Sequence, residues 1–119
     1  MLAQSQPISS TTLRCRTAAG VPFESTEQAW FWTMAALFAR REGIVSVGYR
    51  VTRPCDPEDI VKCLDSLYRR RRINLEHARV LRTFGERGSA PAPRGAIFRL
   101  WREALSRLDF PLRIKGIVA

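Results

Sequence analysis

The sequence predicts an all-α fold: a single small domain of about four helices, with a helix-turn-helix-like pair and a flexible N-terminal arm. Three observations point to it. Apolar residues recur at three- and four-residue spacing in the segments after Asp56, Asn74 and Gly95. Three segments open on a capping residue, Ser25, Asp56 or Asn74. The stretch richest in β-branched residues, 44–54, lacks the alternation of a half-buried strand and is broken by Gly48 and Pro54.

Residues 1–24 are rich in Ser, Thr, Gln and Ala and read as a mobile arm, with Val21 and Phe23 able to dock. The helical domain then spans 25–119. Its first helix is predicted over 26–41. Ser25 and Gln28 fit a capping box, and Arg40, Arg41 and Gly43 suit its end. Between them Ala29 to Ala39 are apolar on nearly every side, which predicts a helix buried all round, in the core or against a partner. The stretch 44–54 reads as a connector.

The second helix is predicted over 57–71. Asp56 caps it, Pro57 takes the first helical position, and Glu58 and Asp59 complement the dipole. Ile60, Val61, Leu64, Leu67 and Tyr68 form its apolar face. The third helix, 75–84, is capped by Asn74 and is expected to stop at Gly85, with Leu75, Ala78, Val80, Leu81 and Phe84 inward. Residues 85–95 hold three Gly and two Pro and read as a loop. The fourth helix, 96–109, buries a stripe through Ile97, Leu100, Trp101, Ala104, Leu105 and Leu108. Pro111 is expected to close it, leaving a short basic and apolar tail.

Charge is the strongest functional signal. The 119 residues carry a net charge of +9, and of 20 basic residues only Lys62 and Lys115 are lysine. Residues 1–49 hold four basic and three acidic groups, 50–87 ten and six, and 88–119 six and two. The basic surface therefore belongs to the last two thirds of the chain. Arginine makes forked hydrogen bonds to phosphate and to guanine edges, so the balance points to a polyanion.

Enzymatic readings find little. His77 is the lone histidine and reads as a polar helix residue beside Glu76. Asp56, Glu58 and Asp59 are explained as dipole partners. No catalytic residue, cofactor or metal site is expected: there is no Gly-rich phosphate loop, no HExxH and no metal-ligand spacing. Cys15, Cys55 and Cys63 form no CxxC pair, which supports neither a disulfide framework nor zinc and makes a reducing cytosol the default. No run of 18 apolar residues and no signal layout occur, so a cytoplasmic protein without membrane contact is expected.

The densest charge sits where two helices meet. Arg69, Arg70, Arg71 and Arg72 occupy the junction, and Arg79 and Arg82 continue it along the next helix. These six form the predicted phosphate clamp.

The segment "CLDSLYRRRRINLEHARVLRTFG" resembles the opening helices of the sigma-factor domain that reads the upstream promoter element, through Leu64, Leu67, Arg70, Arg72, Val80, Leu81, Arg82, Phe84 and Gly85. "PRGAIFRLWREALSRLDFPLR" is similar to that family's recognition helix. The resemblance implies that Arg94, Arg99 and Arg102 face a DNA groove. The family places a further helix between the two segments, where this chain has only the Gly- and Pro-rich stretch. Small size, basicity and an aromatic-rich extra helix also resemble phage Q-type antitermination proteins, which implies RNA polymerase as a second partner. DNA is the expected ligand; RNA stays open, although the interleaved glycine and aromatic pattern of the common RNA-binding sheet is absent. The alternative is an adaptor or inhibitor that docks an acidic protein, with Trp30, Trp32 and Trp101 at the interface.

Overall fold

The computed structural model describes residues 20–43 and 52–119. Four helices form: α1 Thr26–Arg41, α2 Pro57–Arg69, α3 Leu75–Arg87 and α4 Gly95–Ile114. Among the described residues the one β-type contact is an isolated bridge between Phe23 and Val118. The fold is all-α, as the periodicity predicts. Residues 1–19 of the expected arm, with Arg14, Arg16 and Cys15, and residues 44–51 of the expected connector lie outside the described residues.

The helix starts follow from their caps. Ser25 Oγ accepts the Gln28 N–H at 3.1 Å, while Gln28 Oε1 reaches past Ser25 to the Glu24 N–H at 2.7 Å. Asp59 Oδ2 accepts the Asp56 N–H at 2.8 Å ahead of Pro57. In α3 the third capping residue is a histidine: Asn74 Oδ1 accepts the His77 N–H, and His77 Nδ1 accepts the Asn74 N–H, both at 3.1 Å.

Two helices run past their expected ends. α3 continues through Gly85 and stops at Gly88. α4 passes Pro111 and continues to Ile114. A proline in a helix interior costs about 3 kcal/mol. Beyond it, however, Leu112, Ile117 and Val118 are buried, and each fully buried aliphatic side chain stabilises by about 1.5–3 kcal/mol. The tail is thus structural. Its backbone clamps the chain before α1: the Phe23 N–H donates to Ile117 O and the Ala119 N–H to Phe23 O. Phe23 docks fully, while the Val21 side chain stays exposed.

The helices form a ring in the order α1, α2, α4, α3, with α1 and α4 also in contact across it. α2 and α3 lie at opposite corners and make the slightest contact of any pair. The tight turn between them forms, but the two helices pack on α1 and α4 rather than on each other. The core is built from Phe23, Ile60, Leu81, Trp101, Leu108 and Leu112.

α1 is not buried all round. Ala29, Trp30 and Thr33 face inward, Ala35 is exposed, and Phe38 is 50% exposed. Three neighbouring helices cannot cover ten apolar side chains in a domain this small. Leu75 and Ile97 are also exposed, because each sits in the first turn of its helix, beyond the edge of the core.

At Gly85, α1 side chains press close against the α3 backbone. A Cβ there would lie 2.7 Å from both Met34 Cγ and Trp30 Nε1. The Trp30 Nε1–H donates to Leu81 O at 2.9 Å, which holds the indole against the missing side chain.

The end of α2 differs from the other helix ends. The Arg71 N–H bonds Tyr68 O and the Arg72 N–H bonds Leu67 O, which is a Schellman motif. Its left-handed position is Arg71, φ 62°, where α1, α3 and α4 use Gly43, Gly88 and Gly116. A side chain in this region costs about 1 kcal/mol. Arg71→Gly should therefore raise stability by about 0.5–1 kcal/mol, read as an increase in the urea midpoint. An unchanged or lower midpoint would mean that the Arg71 side chain makes up the strain.

Candidate nucleic-acid interface

The side of α2 that faces α4 carries Asp59, Lys62, Cys63, Ser66, Leu67 and Arg70. These recur at three- and four-residue steps, a single stripe of a 3.6-residue helix. Opposite them α4 presents Ser106, Arg107, Phe110, Pro111 and Ile114, again one stripe. Between the stripes lies an open groove of about 750 Å³. From Asp59 to Arg70 it runs roughly 16 Å at 1.5 Å per residue.

Its electrostatics are one-sided. Lys62, Arg70, Arg72, Arg107 and Lys115 line it, against the single carboxylate of Asp59, which already accepts the Asp56 N–H. Among the described residues none of these five cations enters an ion pair. The Arg107 guanidinium donates to the Arg72 carbonyl, tying α4 to the α2–α3 turn at one end of the groove. Leu67, Cys63 and Pro111 supply apolar surface, and Phe110 and Ile114 stand 70% and 69% exposed.

The expected clamp is only partly assembled. Arg70 and Arg72 enter the groove, and Arg71 stands exposed between them. Arg69 instead pairs with Asp65 at 3.0 Å, and Arg82 with Glu86 at 3.2 Å. Both partners lie one helical turn away on the same helix, so each charge is partly offset within it although its guanidinium stays exposed. Arg82 lines a different groove, between α1 and α3. Arg79 is exposed on α3. Arg94 is the residue before α4, and Arg99 and Arg102 lie exposed one turn apart on it. None of these four lines the α2–α4 groove.

Two of the three tryptophans correct the interface expectation. Trp101 is 1% exposed and Trp30 4%, so both rings belong to the core. Trp101 packs against Phe31 and Phe84, with ring centroids 5.6 and 6.1 Å away. Trp32 is half-buried against Phe23 at 5.1 Å. A second open surface with apolar lining is the groove between α1 and α3, with Met34, Ala35, Leu37 and Phe38 of α1 and Val61 of α2 along it.

His77 is likewise not an exposed helix residue. It is buried, and its two ring nitrogens do different jobs. Nδ1 accepts the Asn74 N–H, so Nε2 carries the proton and donates to Glu103 Oε1 at 3.0 Å. This contact joins the start of α3 to the middle of α4. The hydrogen bond from His77, aided by the nearby Arg107 and Arg99 charges, holds the Glu103 carboxyl below its ordinary value of 4.5. Glu58 is also lowered, first by its hydrogen bond from Arg40, whose own pKa is raised in return. Burial pushes Asp109 upward, but hydrogen bonds from Arg113 and Thr26 outweigh it and leave it lowered.

A folded-state pKa below the unfolded one contributes stability that is complete above the ordinary value and is lost as pH falls through the lowered one. The urea midpoint should thus be flat above about pH 5 and decline below pH 4.5. Glu103→Gln should remove part of that decline. An identical acid profile would mean that the His77 contact does not form in solution.

Lys62, Arg107, Lys115, Phe110 and Ile114 are the site residues that the sequence reading passes over. The signal was present in the two helical stripes. Ending the last helix before Pro111 hid the second of them.

Among the described residues, no helix is long and apolar enough to cross a membrane, and no group of three or more His, Cys, Asp or Glu is placed to hold a metal ion. Comparison with protein-family models, with curated proteins and with solved structures finds no match for this chain.

Proposed function

We propose that this chain is a nucleic-acid-binding protein that grips phosphates through the α2–α4 groove, in the transcription-regulator class that its sequence implies. The observation that carries this reading is the convergence of Lys62, Arg70, Arg72, Arg107 and Lys115 on one groove with no neutralising ion pair. Such charges remain exposed at a cost in self-repulsion, which a polyanion relieves by counterion release. The exposed Arg94, Arg99 and Arg102 on α4 supply the base-edge contacts in this reading. Residues 89–94 form no helix, so the first half of a sigma-type helix-turn-helix is missing ahead of α4.

Titrating a labelled oligonucleotide into the protein, with amide shifts recorded, tests the assignment. The shifts should cluster on the α2 and α4 stripes and on the α2–α3 turn. Shifts confined to the outer face of α3, or none at low salt, would overturn it.

A second reading, an adaptor for an acidic protein, is favoured by the open α1–α3 groove with its half-exposed Phe38 and the Arg41 and Arg82 rim. It gains if the oligonucleotide leaves the amides unmoved.

A further inference from the structure

Five cations explain why the α2–α4 groove attracts phosphate. They do not explain its apolar part. Phe110 and Ile114, on successive turns of α4, are among the most exposed large apolar side chains described, and both line the five-cation α2–α4 groove. Leu67 and Pro111 extend the apolar surface between the flanking charges. A double helix has little use for this. It is a convex rod whose base faces are stacked on one another, so it would leave the Phe110 ring against sugar, phosphate or water. An unpaired strand differs: its charges track a cationic groove, and any of its bases can lay a π-face on an aromatic ring.

We propose that the α2–α4 groove binds single-stranded nucleic acid, with an unstacked base seated on Phe110. This rests on the phosphate-binding reading of the same groove. Arg72 and Arg107, joined by the hydrogen bond from the Arg107 guanidinium to the Arg72 carbonyl, form a fixed cationic end. Lys62, Arg70 and Lys115 contact further phosphates. The groove reads no sequence, because every base offers a face and the cations meet only the backbone. Ile114, one turn beyond Phe110, covers the sugar or the edge of the seated base.

The test uses the full chain and four ligands: a short oligothymidine, an abasic strand of the same length, a duplex of that length, and polyglutamate. The abasic strand and polyglutamate supply charge without base faces. Stacking on an aromatic ring contributes about 1–3 kcal/mol per base, so oligothymidine should bind about tenfold more tightly than the abasic strand. Phe110→Ala should lower oligothymidine affinity to about that of the abasic strand, and Phe110→Trp should keep the preference. The ring is exposed, so its truncation spares the core. An oligothymidine affinity unchanged by Phe110→Ala would overturn the inference. So would a wild-type preference for the duplex or for polyglutamate. With an unchanged affinity or a duplex preference, phosphate binding by the groove still stands, whereas a polyglutamate preference favours the acidic-protein reading. No binding to either nucleic acid at low salt would overturn the phosphate-binding reading itself, and this inference with it.

Discussion

Gly85→Val should destabilise the domain by about 3 kcal/mol. The new Cβ alone would stand 2.7 Å from Met34 Cγ and from Trp30 Nε1, and valine adds two methyl groups beyond it. Met34 has flexible bonds and can yield. The Trp30 ring cannot move freely, because it is buried and its Nε1–H is held by Leu81 O. Overpacking of this kind costs about 1–3 kcal/mol, and breaking the indole hydrogen bond adds about 1 kcal/mol. Replacing glycine in a helix interior offsets part of this, by less than 1 kcal/mol for a β-branched residue. In a domain of this size the loss corresponds to a Tm lower by roughly 10–20 °C in a circular-dichroism melt. Gly85→Ala should fall between, since alanine gains most in helix propensity and adds the least volume. A valine variant that melts with the wild type would show that α1 does not press on α3 at this point.

The second large effect concerns ligand rather than fold. Converting Arg70, Arg72 and Arg107 together to alanine should weaken oligonucleotide binding about hundredfold at low salt, taking at least 1 kcal/mol for each charged hydrogen bond to phosphate that is removed. All three side chains are exposed, so the variant should fold, losing only the stability of the Arg107 hydrogen bond to the Arg72 carbonyl, about 1 kcal/mol. The control is Arg69→Ala with Arg82→Ala, which removes two charges. Those guanidinium groups are engaged by Asp65 and Glu86, and the control should weaken binding less than tenfold. Weakening that follows the number of charges removed, three against two, by fluorescence anisotropy, would mean that net charge alone governs binding and that the groove has no special part.

The four helices were legible in the sequence because each local signal agreed with its neighbours. Asp56 and Pro57, Asn74, and the apolar spacing through Trp101 and Leu108 all lead to the observed elements. The helix ends were less legible, for a physical reason. Gly85 looks like a stop, but here a missing Cβ makes room for an indole from another helix. Pro111 looks like a stop as well, yet the burial of Leu112, Ile117 and Val118 outweighs it. Both are tertiary effects that a local pattern does not contain. The same holds for His77, whose partner Glu103 lies 26 residues away on α4.

The site was half legible. The arginine run announces its own charge, and Arg70 and Arg72 do line the groove. Spacing alone does not tell which cations are paired: Asp65 and Glu86 pair with Arg69 and Arg82 four residues away, whereas Glu58 and Glu103, equally spaced from Lys62 and Arg107, pair with Arg40 and His77 instead. That Lys62, Arg107 and Lys115 join the same groove depends on α2 and α4 lying side by side in the ring, although the chain's third helix and a loop separate them in sequence. The aromatic-rich first helix read as core or docking surface alike; Trp30 is core, Trp32 is half-buried, and Phe38 is the most exposed of its rings.

The central claim, that cations from two helices act as one phosphate-binding wall, is tested most directly by the salt dependence of oligothymidine binding in the wild type and in the triple arginine variant. With five phosphate contacts on a single strand, the slope of log K against log salt should be about −3.5, and with three of the five removed about −1.4. Equal slopes in the two proteins, or a flat response in the wild type, would contradict it.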